Sequence, residues 1–570
     1  MSERDGSVPG DPEAGAEAVA LRTAFGYHER TKHHYHRYAP SLGYLDWDTQ
    51  PDPFRRFLGA PLVSLGFPPK DETPPYRDVF TAGAIAAKPL SFESLSALFF
   101  YALSLSSWKE FGKNRWSLRV NPSSGNLHPT EGYVVAPAMP GLHTRPAVYH
   151  YAPKEHGLER RVESSEAAWT ALMGGFPPSA FLIGLSAVHW RESWKYGERA
   201  YRYCQHDAGH ALAALRISAA LLGWGLYVLD EIPDERVERL LGLDRLDGFL
   251  PEEREHPDLL AVVLPGGPLA GTLDRVRDLP EDAVETVAQG AWTGSANRLS
   301  AGHVPWEAID AVAEACRKKV PVVSPRRGPN TAPASRWADP PEPASAGTLI
   351  RRRRSAVAMD GATSLPRDAF YSMLAKLLPV TGNVPWDAAE WAGLVHLGLF
   401  VHRVEGLEAG LYVLVRDPAK LDLVRRQMRP ESLWSPAPGA PAGLPLYLLK
   451  KEDCRATAAG VSCGQDIARD GAFSLGMLAE FEPILSRYGP HLYRNLFWET
   501  GMIGQVLYLE AEAWGIRSTG IGCFFDDPVH EVFGLQGRGL QSLYHFTVGG
   551  AVEDTRLTST PPYSHLGREG

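Results

Sequence analysis

A polar segment in the first half of the chain places hydroxyl, amide and imidazole groups directly before an apolar run. Residues 121–135 read NPSSGNLHPTEGYVV. The hydroxyls, with a glycine that permits close backbone approach, suit a loop that holds a polar ligand, and they also suit an ordinary turn. The candidate binding residues are Pro122, Ser123, Ser124, Gly125 and Asn126, and the candidates at the mouth of such a pocket are His128 and Glu131.

Lys195 and Tyr196 are adjacent candidates for proton transfer. Lysine acts as a base near neutral pH only when it is desolvated, so a surface lysine beside a core tyrosine is the alternative. His206 and His210 lie four residues apart, a spacing at which two imidazoles on one helix can bind a metal. Because no third ligand is evident, we expect these histidines to be structural or to line the pocket, and we expect no metal.

The elements that position these residues occur twice in the chain. The segment from Tyr196, YGERAYRYCQHDAGHALAALRISAALLGWG, aligns without gaps with the segment from Tyr488, YGPHLYRNLFWETGMIGQVLYLEAEAWGIR, so that Gly209 falls on Gly501. Apolar residues at helical spacing in each segment predict a long helix in the core or between domains. Together with strand patterns on either side, the repeat predicts one α+β domain duplicated in tandem.

Composition shifts set the expected domain boundaries. Residues 321–348 are rich in Pro, Ala, Ser and Gly and lack apolar periodicity, which is typical of a linker, although an ordered loop over a neighbour is the alternative. The first 20 residues are polar and have the composition of a disordered tail. The sequence therefore predicts a tail at 1–20, a first domain at 21–320, a linker at 321–348 and a second domain at 349–570.

Charge and cysteine content exclude several classes of protein. The net charge of −9 argues against a general nucleic-acid binder. Five cysteines without a CxxC pair favour a reducing cytoplasm over a disulfide framework or a zinc cluster. Neither an apolar signal-peptide core nor a run of roughly 18 apolar residues is present, so we expect a cytoplasmic protein that engages no membrane.

The motifs and their order resemble the nitroreductase-like family of FMN flavoproteins, with the SagB-type dehydrogenase branch nearest. The residues that carry the resemblance are R-x-x-P-S-S-G from Arg119, WKYGERAYRYCQHDAGH from Trp194, RRRRSAVAMDG from Arg351 and the loop TGIG from Thr519. The resemblance covers nearly the whole chain outside the linker and tail. It implies a mainly antiparallel sheet flanked by helices in each domain, and an intramolecular pseudo-dimer.

The resemblance also implies how a flavin site is divided between the domains. In the family one subunit supplies the Arg-Arg-Ser element and the other supplies the Pro-Ser-Ser loop. Here the first domain has only the loop and the second has only the arginines, which implies one FMN per chain at the domain interface and a second potential site that has degenerated. The implied FMN-binding residues are Arg119, Pro122, Ser123, Ser124, Gly125, Asn126, Arg353, Arg354, Ser355, Gly520, Ile521, Gly522 and Arg556.

One position departs from the family pattern. Val357 stands where the family often has a cation, which would weaken phosphate binding or shift it to Arg351 or Arg352. In the second half Arg487 replaces Lys195, and arginine cannot act as a base near neutrality. The lysine therefore lies in the half that would reach across to the surviving flavin.

Three functions are consistent with these residues. The SagB-type branch implies an FMN-dependent dehydrogenase or oxidase that passes hydride from an azoline-type or related heterocyclic or peptidic substrate to flavin N5, with Lys195 or Tyr196 taking the proton and dioxygen reoxidising the flavin. The wider family implies an NAD(P)H-dependent nitro- or quinone reductase. A flavin-free scaffold is the third interpretation. The expected partners are a small-molecule or modified-peptide substrate and proteins of a biosynthetic complex.

Overall fold

The computed structural model describes residues 12–69, 72–81, 83–245, 248–266, 278–328 and 338–567. The helices of the first half are α1 (Pro12–Arg30), α2 (Phe92–Ala102), α3 (Glu166–Met173), α4 (His189–Tyr196), α5 (Ala200–Leu221), α6 (Asp234–Leu241), α7 (Glu281–Ala288) and α8 (Glu307–Ala315). Its strands are β1 (Phe57–Leu58), β2 (Leu62–Ser64), β3 (Leu105–Phe111), β4 (Asn114–Arg119), β5 (Thr130–Ala136), β6 (Ala147–Ala152), β7 (Gly157–Glu163), β8 (Phe181–Ala187), β9 (Gly225–Val228), β10 (His256–Leu264) and β11 (Ser295–Ala296).

The second half repeats this series of elements. Its helices are α9 (Ala346–Arg352), α10 (Arg367–Lys376), α11 (Leu421–Gln427), α12 (Arg455–Val461), α13 (Ile467–Asp470), α14 (Glu482–Tyr488), α15 (Leu492–Ala513) and α16 (Asp526–Phe533). Its strands are β12 (Val395–Val401), β13 (Gly410–Leu414), β14 (Ser435–Pro436), β15 (Leu446–Lys451), β16 (Phe473–Glu480), β17 (Arg517–Ile521), β18 (Leu540–Gly549) and β19 (Thr558–Thr560).

Each half contains a seven-stranded antiparallel sheet, and the two sheets have equivalent strand orders. The first sheet runs β2-β7-β6-β5-β8-β10-β9 and the second runs β14-β15-β13-β12-β16-β18-β17. The registers of the central strands match as well, since Tyr133 faces Gly184 in the first sheet and Gly398 faces Gly476 in the second. The observed architecture confirms the predicted tandem duplication of an α+β fold.

The long helices α5 and α15 cross at their equivalent glycines. Every residue of both helices is buried. A Cβ on Gly209 would lie 2.7 Å from the backbone carbonyl carbon of Trp498, and one on Gly501 would lie 2.7 Å from the backbone nitrogen of His210. Only glycine allows backbones to approach so closely, so these two positions fix how the halves pack. No helix in the described part of the chain is both long and apolar enough to cross a membrane.

Two equivalent ion pairs join the halves on either side of this crossing. Arg202 on α5 donates to Asp526 at 2.9 Å, and Arg494 on α15 donates to Asp234 at 3.0 Å. Each aspartate is the first residue of a helix, α16 or α6, where the helix dipole favours a negative charge. All four side chains are buried, and Arg199 is a second partner of Asp526 at 3.0 Å, so removing either aspartate would leave uncompensated arginine charge in the core.

The two ends of the chain each pack on the opposite half. His28 on α1 lies 3.3 Å from both the Gln541 side-chain oxygen and the Tyr493 hydroxyl, which belong to the second half. Near the C-terminus β19 pairs with β3 of the first half, and the hydroxyl of Tyr563 accepts a hydrogen bond from the backbone of Leu105. The halves are therefore braced against each other at both ends.

Two predicted boundaries require correction. The tail predicted at 1–20 is wrong from Pro12 onward, because α1 begins there; residues 1–11 lie outside the described part of the chain. The linker predicted at 321–348 is too long, because α9 begins at Ala346 with Ser345 as its N-cap. The backbone of residues 321–328 also hydrogen-bonds to both halves, at Glu231 and Glu390, while residues 329–337 lie outside the description.

Candidate functional site

A cavity of about 520 Å³ lies between the halves and brings most of the predicted site residues together. Its first-half wall comes from the loop after β4, the end of α4 and the face of α5, and its second-half wall comes from the end of α9, from β17 and from β18. The predicted residues that line it are Arg119, Pro122, Ser123, Ser124, Gly125, Asn126, Tyr196, Arg353, Arg354, Ser355, Gly520, Ile521 and Gly522.

The Pro-Ser-Ser-Gly loop is held in an unusual backbone conformation. Gly125, Asn126 and His128 have φ angles of 59°, 61° and 52°, in the left-handed region that disfavours side chains other than those of Gly and Asn. A Cβ on Gly125 would lie 2.6 Å from the Tyr196 hydroxyl, so glycine is required for space as well. The backbone of Ser124 donates to the carboxylate of Asp207 at 3.0 Å and anchors the loop to α5.

Two arginines from the second half, the buried Arg353 and the partly buried Arg354, form the cationic end of the cavity. Arg353 donates to the backbone carbonyls of Arg119 and Val120, each at 3.0 Å, and Arg354 donates to the Ser106 hydroxyl at 3.3 Å. Burial lowers the pKa of Arg353 to about 10 and that of Arg354 to about 9. Among the described residues no carboxylate lies within ion-pair distance of either, so their positive charge is available to an anionic ligand.

The neighbouring arginines do not share this role. Arg351 lies 4.1 Å from the centroid of the Phe100 ring and donates to the Leu105 carbonyl, and Arg352 pairs with Glu512. Neither Arg351 nor Arg352 lines the cavity, so neither stands in for the cation that the family often has at the position of Val357.

The prediction that Arg556 binds the cofactor is wrong in its placement. Its side chain is 73% exposed and pairs with Asp554 two residues earlier at 2.8 Å. Arg517, which the sequence analysis did not select, lines the cavity together with Lys109, and its charge is compensated by ion pairs with Glu512 and Glu553. Its position directly before the Thr519–Gly522 motif was the signal that could have found it.

Residues 519–521 form part of a strand rather than the predicted loop, and only Gly522 follows it. Gly520 and Gly522 leave room for aromatic side chains, because a Cβ on either would overlap Tyr544 or Tyr203 respectively. Tyr508 on α15 ties this strand to the Arg-Arg-Ser element. Its hydroxyl oxygen accepts hydrogen bonds from the backbone of Gly520 and from the Ser355 hydroxyl, both at 3.0 Å. None of these three tyrosines was predicted, since their roles depend on contacts between distant segments.

The predicted catalytic pair lies beside the Pro-Ser-Ser-Gly loop. Tyr196 lines the cavity, whereas Lys195 is exposed, with its ammonium 5.3 Å from the centroid of the Tyr196 ring. Burial, followed by the charge of Glu192, holds the pKa of Tyr196 well above its ordinary value, so its phenol stays protonated. Tyr196 can therefore donate a hydrogen bond but is a poor base at neutral pH.

Two buried carboxyl groups that the sequence reading did not select lie next to this pair. Burial raises the pKa of Asp207 to about 7, and burial together with Asp207 raises that of Glu192 well above the ordinary carboxyl value. Both oxygens of Glu192 lack a hydrogen-bond partner in the described part of the chain. Asp207 was visible in the sequence only as the residue after His206, and nothing there revealed that it holds Ser124.

Two of the three candidate histidines line the cavity, and the third is a buried structural residue. His128 and His210 line the cavity, while His206 is hydrogen-bonded to the Thr500 hydroxyl at 2.8 Å and stacks on Tyr544. Glu131 lies outside the cavity, in an ion pair with Arg191. The described residues contain no group of three or more potential metal ligands.

Unpaired polar atoms in the cavity wall fit a ligand that offers both donors and acceptors. Arg119 Nε, Asn121 Oδ1 and His128 Nδ1 are buried and have no hydrogen-bond partner among the described residues. Such atoms are rare in folded proteins, and they commonly mark a place where a ligand or water completes the bonding. The volume also falls within the roughly 300–1,000 Å³ that is usual for small-molecule sites.

A larger cavity, of about 650 Å³, lies between α4 and α8 and contains none of the predicted site residues. The arginines in its wall include Arg494 and Arg317, which are already paired with Asp234 and Glu238. The remaining arginine of its wall, Arg254, is exposed to solvent and so is not the counterpart of the buried Arg353. The smaller cavity is therefore the candidate functional site.

The fold and this composite cavity define a protein of two similar halves, with a cavity between them whose charges and unpaired polar atoms suit an anionic, polar ligand. A family model named nitroreductase family matches residues 86–250 and 412–550, which together make up more than half of the chain, and the chain belongs to this family. Family membership indicates a flavin-dependent oxidoreductase, and members of the family typically bind FMN.

Two individual proteins are similar to this chain, one over about a third of its length and the other over nearly all of it. A protein of Methanocaldococcus jannaschii that is named as a nitroreductase is 26% identical over 181 residues, covering 31% of this chain and 82% of that protein. The crystal structure of an Anabaena variabilis protein described as a nitroreductase matches with a TM-score of 0.64 and 24% identity, covering 93% of this chain and 99% of the other. This second likeness extends the common fold to both halves.

A third likeness is much weaker. The Escherichia coli microcin synthetase McbBCD complex with truncated pro-MccB17 bound contains a chain that is 18% identical, covering 45% of this chain and 94% of that one, with a TM-score of 0.25. That score is too low to bear on fold or function.

Proposed function

We propose that the cavity binds one FMN per chain and that the protein is an FMN-dependent dehydrogenase or oxidase. The observation that carries this proposal is a pair of arginines with no carboxylate partner among the described residues, the buried Arg353 and the partly buried Arg354, in one cavity with the Pro-Ser-Ser-Gly loop of the opposite half. A guanidinium removed from water without a counter-charge is unfavourable, and a phosphate supplies that charge in a geometry that arginine matches.

The residues divide into a phosphate end and a ring end. Arg353, Arg354 and Lys109 supply the cations for the phosphate. The unpaired atoms of Arg119, Asn121 and His128, together with the backbone of residues 520–522, are the groups available to the polar edges of the flavin ring. Both halves contribute to each end, which supports a single composite site.

When bound, FMN accepts a hydride from a substrate C–H or N–H bond, and the accompanying proton requires an acceptor on the protein. Tyr196 stays protonated and would orient the substrate by donating a hydrogen bond. Asp207, whose pKa is raised to about 7, is the group in the cavity wall that is able to take the proton. Lys195 is exposed in the structure and would act as the base only where a bound substrate excludes water from it.

For the substrate we propose an azoline-type heterocycle in a modified peptide or small molecule, oxidised to the azole, with dioxygen as the electron acceptor. The support is the order of SagB-like motifs along the chain, at Arg119, Trp194 and Arg351. Proteins that install or deliver the azoline are the proposed partners.

An NAD(P)H-dependent nitro- or quinone reductase is the second candidate function. It is favoured by the names of the relatives from Methanocaldococcus jannaschii and Anabaena variabilis, both described as nitroreductases. In this case nicotinamide would occupy the position of the azoline, and a nitroaromatic or quinone would be the acceptor.

The first experiment measures the visible spectrum and the released flavin of the purified protein. One FMN per chain that is lost in an Arg353→Ala, Arg354→Ala double variant and kept in Arg556→Ala supports the composite site. Two FMN per chain would contradict it, and no FMN after reconstitution would favour a flavin-free scaffold. Anaerobic mixing of the flavin-loaded protein with NADPH then separates the two enzymes, since rapid bleaching favours the reductase and bleaching only by an azoline peptide favours the dehydrogenase.

A further inference from the structure

Two cysteines from separate segments meet at one edge of the candidate cavity. Cys523 follows Gly522 and lines the cavity, and Cys463 lies in the turn after α12. The backbone of Phe525, two residues after Cys523, donates to the carbonyl of Val461, two residues before Cys463, at 2.8 Å and sets the two cysteine segments side by side. Both are half-buried and free, whereas the remaining cysteines, Cys204, Cys316 and Cys454, are fully buried.

The backbone around these cysteines is fixed in place. Cys463 has a φ of 55°, a left-handed conformation that costs energy in a residue with a side chain. The side-chain amide of Gln465 donates to the carbonyl of Ser462 at 3.0 Å and to that of Cys523 at 3.1 Å. One side chain thus ties the two segments together and keeps the thiols adjacent without a covalent bond.

The environment distinguishes the reactivity of the two thiols. The hydrogen bond from Cys463, assisted by Arg199, lowers the pKa of Cys523, while the same bond and burial raise the pKa of Cys463. A thiolate is the reactive form of cysteine, and it is favoured at the position that faces the cavity. Cys463 is placed to act as its resolving partner.

We propose that Cys463 and Cys523 form a redox-active dithiol that closes to a disulfide and exchanges two electrons with the flavin of the adjacent cavity. This inference rests on the proposed FMN site. On closure two S–H bonds break and one S–S bond forms, and the two electrons and two protons that are released reduce one oxidised flavin completely. In the reverse direction reduced flavin restores both thiols and is itself oxidised.

The test is an anaerobic reductive titration of flavin-loaded protein that has been oxidised with diamide and desalted. We expect the wild-type chain to take up four electrons for each FMN, two for the flavin and two for the disulfide. Cys463→Ser and Cys523→Ser should take up two, and Cys316→Ser, a control from the buried set, should take up four. Wild-type protein whose thiols are blocked with N-ethylmaleimide should also take up two, which covers the case of a variant that does not fold.

Peptide mapping after alkylation provides a readout that is independent of the flavin. We expect a Cys463–Cys523 disulfide in the oxidised sample, including flavin-free protein treated with diamide, and two alkylated thiols after titration. Uptake of two electrons by wild-type protein that carries FMN would overturn the dithiol exchange and leave the proposed function standing. A chain that binds no FMN would remove the proposed function and this exchange together, so the two failures are distinguishable.

Discussion

The two equivalent regions on either side of the α5–α15 crossing differ in how their charges are compensated. On one side Arg353 and Arg354 border a cavity without a carboxylate partner. On the other side Arg216, which occupies the position equivalent to Tyr508, makes two hydrogen bonds to Asp387 at 2.8 and 2.7 Å. The buried Trp386 lies beside that pair, on a short 3₁₀ turn that packs against β9. The second region is closed by the protein's own side chains.

A second pair of equivalent residues shows the same contrast. Asp207 accepts hydrogen bonds from Ser124 and has no arginine partner, and its pKa is raised to about 7. Glu499, at the matching position of α15, accepts from the backbone of Gly393 at 2.7 Å and forms a buried ion pair with Arg416. The same fold therefore forms an open cavity in one region and a closed core in the other, and the difference lies in whether each charge has a partner among the described residues.

The largest effect is expected at the closed region. Arg216→Met leaves Asp387 buried without its partner, which should destabilise the protein by about 3–5 kcal/mol, while the FMN content of the folded fraction stays unchanged. Urea unfolding and released-flavin measurements on the same samples check both parts. Arg455→Met, which breaks an exposed pair with Asp453, is the matched control and should have little effect. Loss of FMN without loss of stability would reverse the assignment of the two regions.

A substitution at the crossing tests whether both regions depend on one packing contact. Gly501→Ala forces a Cβ against the backbone of α5 and should destabilise the protein by about 3 kcal/mol. Gly460→Ala in α12, where a Cβ meets nothing within 4 Å, should be neutral or slightly stabilising. Thermal unfolding of the two variants measures the difference. Equal melting temperatures would show that the halves do not pack through these glycines.

The raised pKa of Asp207 predicts a pH dependence of stability. A carboxyl whose pKa is higher in the folded state stabilises that state fully below its unfolded pKa, and the contribution is lost as pH rises through about 7. Asp207→Asn should therefore remove about 2 kcal/mol of the stability change between about pH 5 and about pH 8. Burial also raises the pKa of Asp258 to about 7, so Asp258 would account for part of the pH dependence that remains in the variant. An unchanged pH profile in the variant would contradict this environment for Asp207.

Arg353 should affect binding with little effect on stability. Arg353→Met removes one charge-assisted partner of the phosphate, worth about 2 kcal/mol, or roughly 30-fold in the Kd for FMN. Removing a charge that has no carboxylate partner offsets part of the loss of its two hydrogen bonds to the Arg119 and Val120 carbonyls, so the flavin-free variant should be destabilised by only about 1 kcal/mol. Flavin fluorescence titration measures the Kd for FMN, and thermal unfolding measures the stability of the flavin-free variant. Arg556→Met is the control, and a Kd that changes equally in both variants would count against the phosphate assignment.

The repeat and the site motifs could be read from the sequence because they are local or periodic. The gapless match that pairs Gly209 with Gly501 predicted the duplicated fold, and the crossing of α5 and α15 at those two glycines gives the physical reason for the match. Arg353 and the Ser123–Gly125 loop were recognisable because their spacing along the chain is fixed. Their actual roles in binding remain predictions.

What the sequence could not provide depends on tertiary contacts. Nothing in the local pattern showed that Asp207 holds Ser124, that Tyr508 joins Ser355 to Gly520, or that Asp387 neutralises Arg216. Arg556 was selected from an uncertain alignment, and its neighbour Asp554 offers a nearer partner than any ligand. Local patterns identify which residues are present, whereas the compensation of charge is decided between segments that lie far apart in the chain.

The packing of each end segment on the opposite half affects the order in which parts of the protein can fold. The first half leaves the ribosome with the edge of β3 open, because its partner β19 is synthesised only after both large sheets. An open strand edge is a template for wrong pairing, and contacts between distant segments form slowly. The nascent first half must wait for the second half to emerge, so completion of this small sheet at Thr558–Thr560 would be a late step in folding.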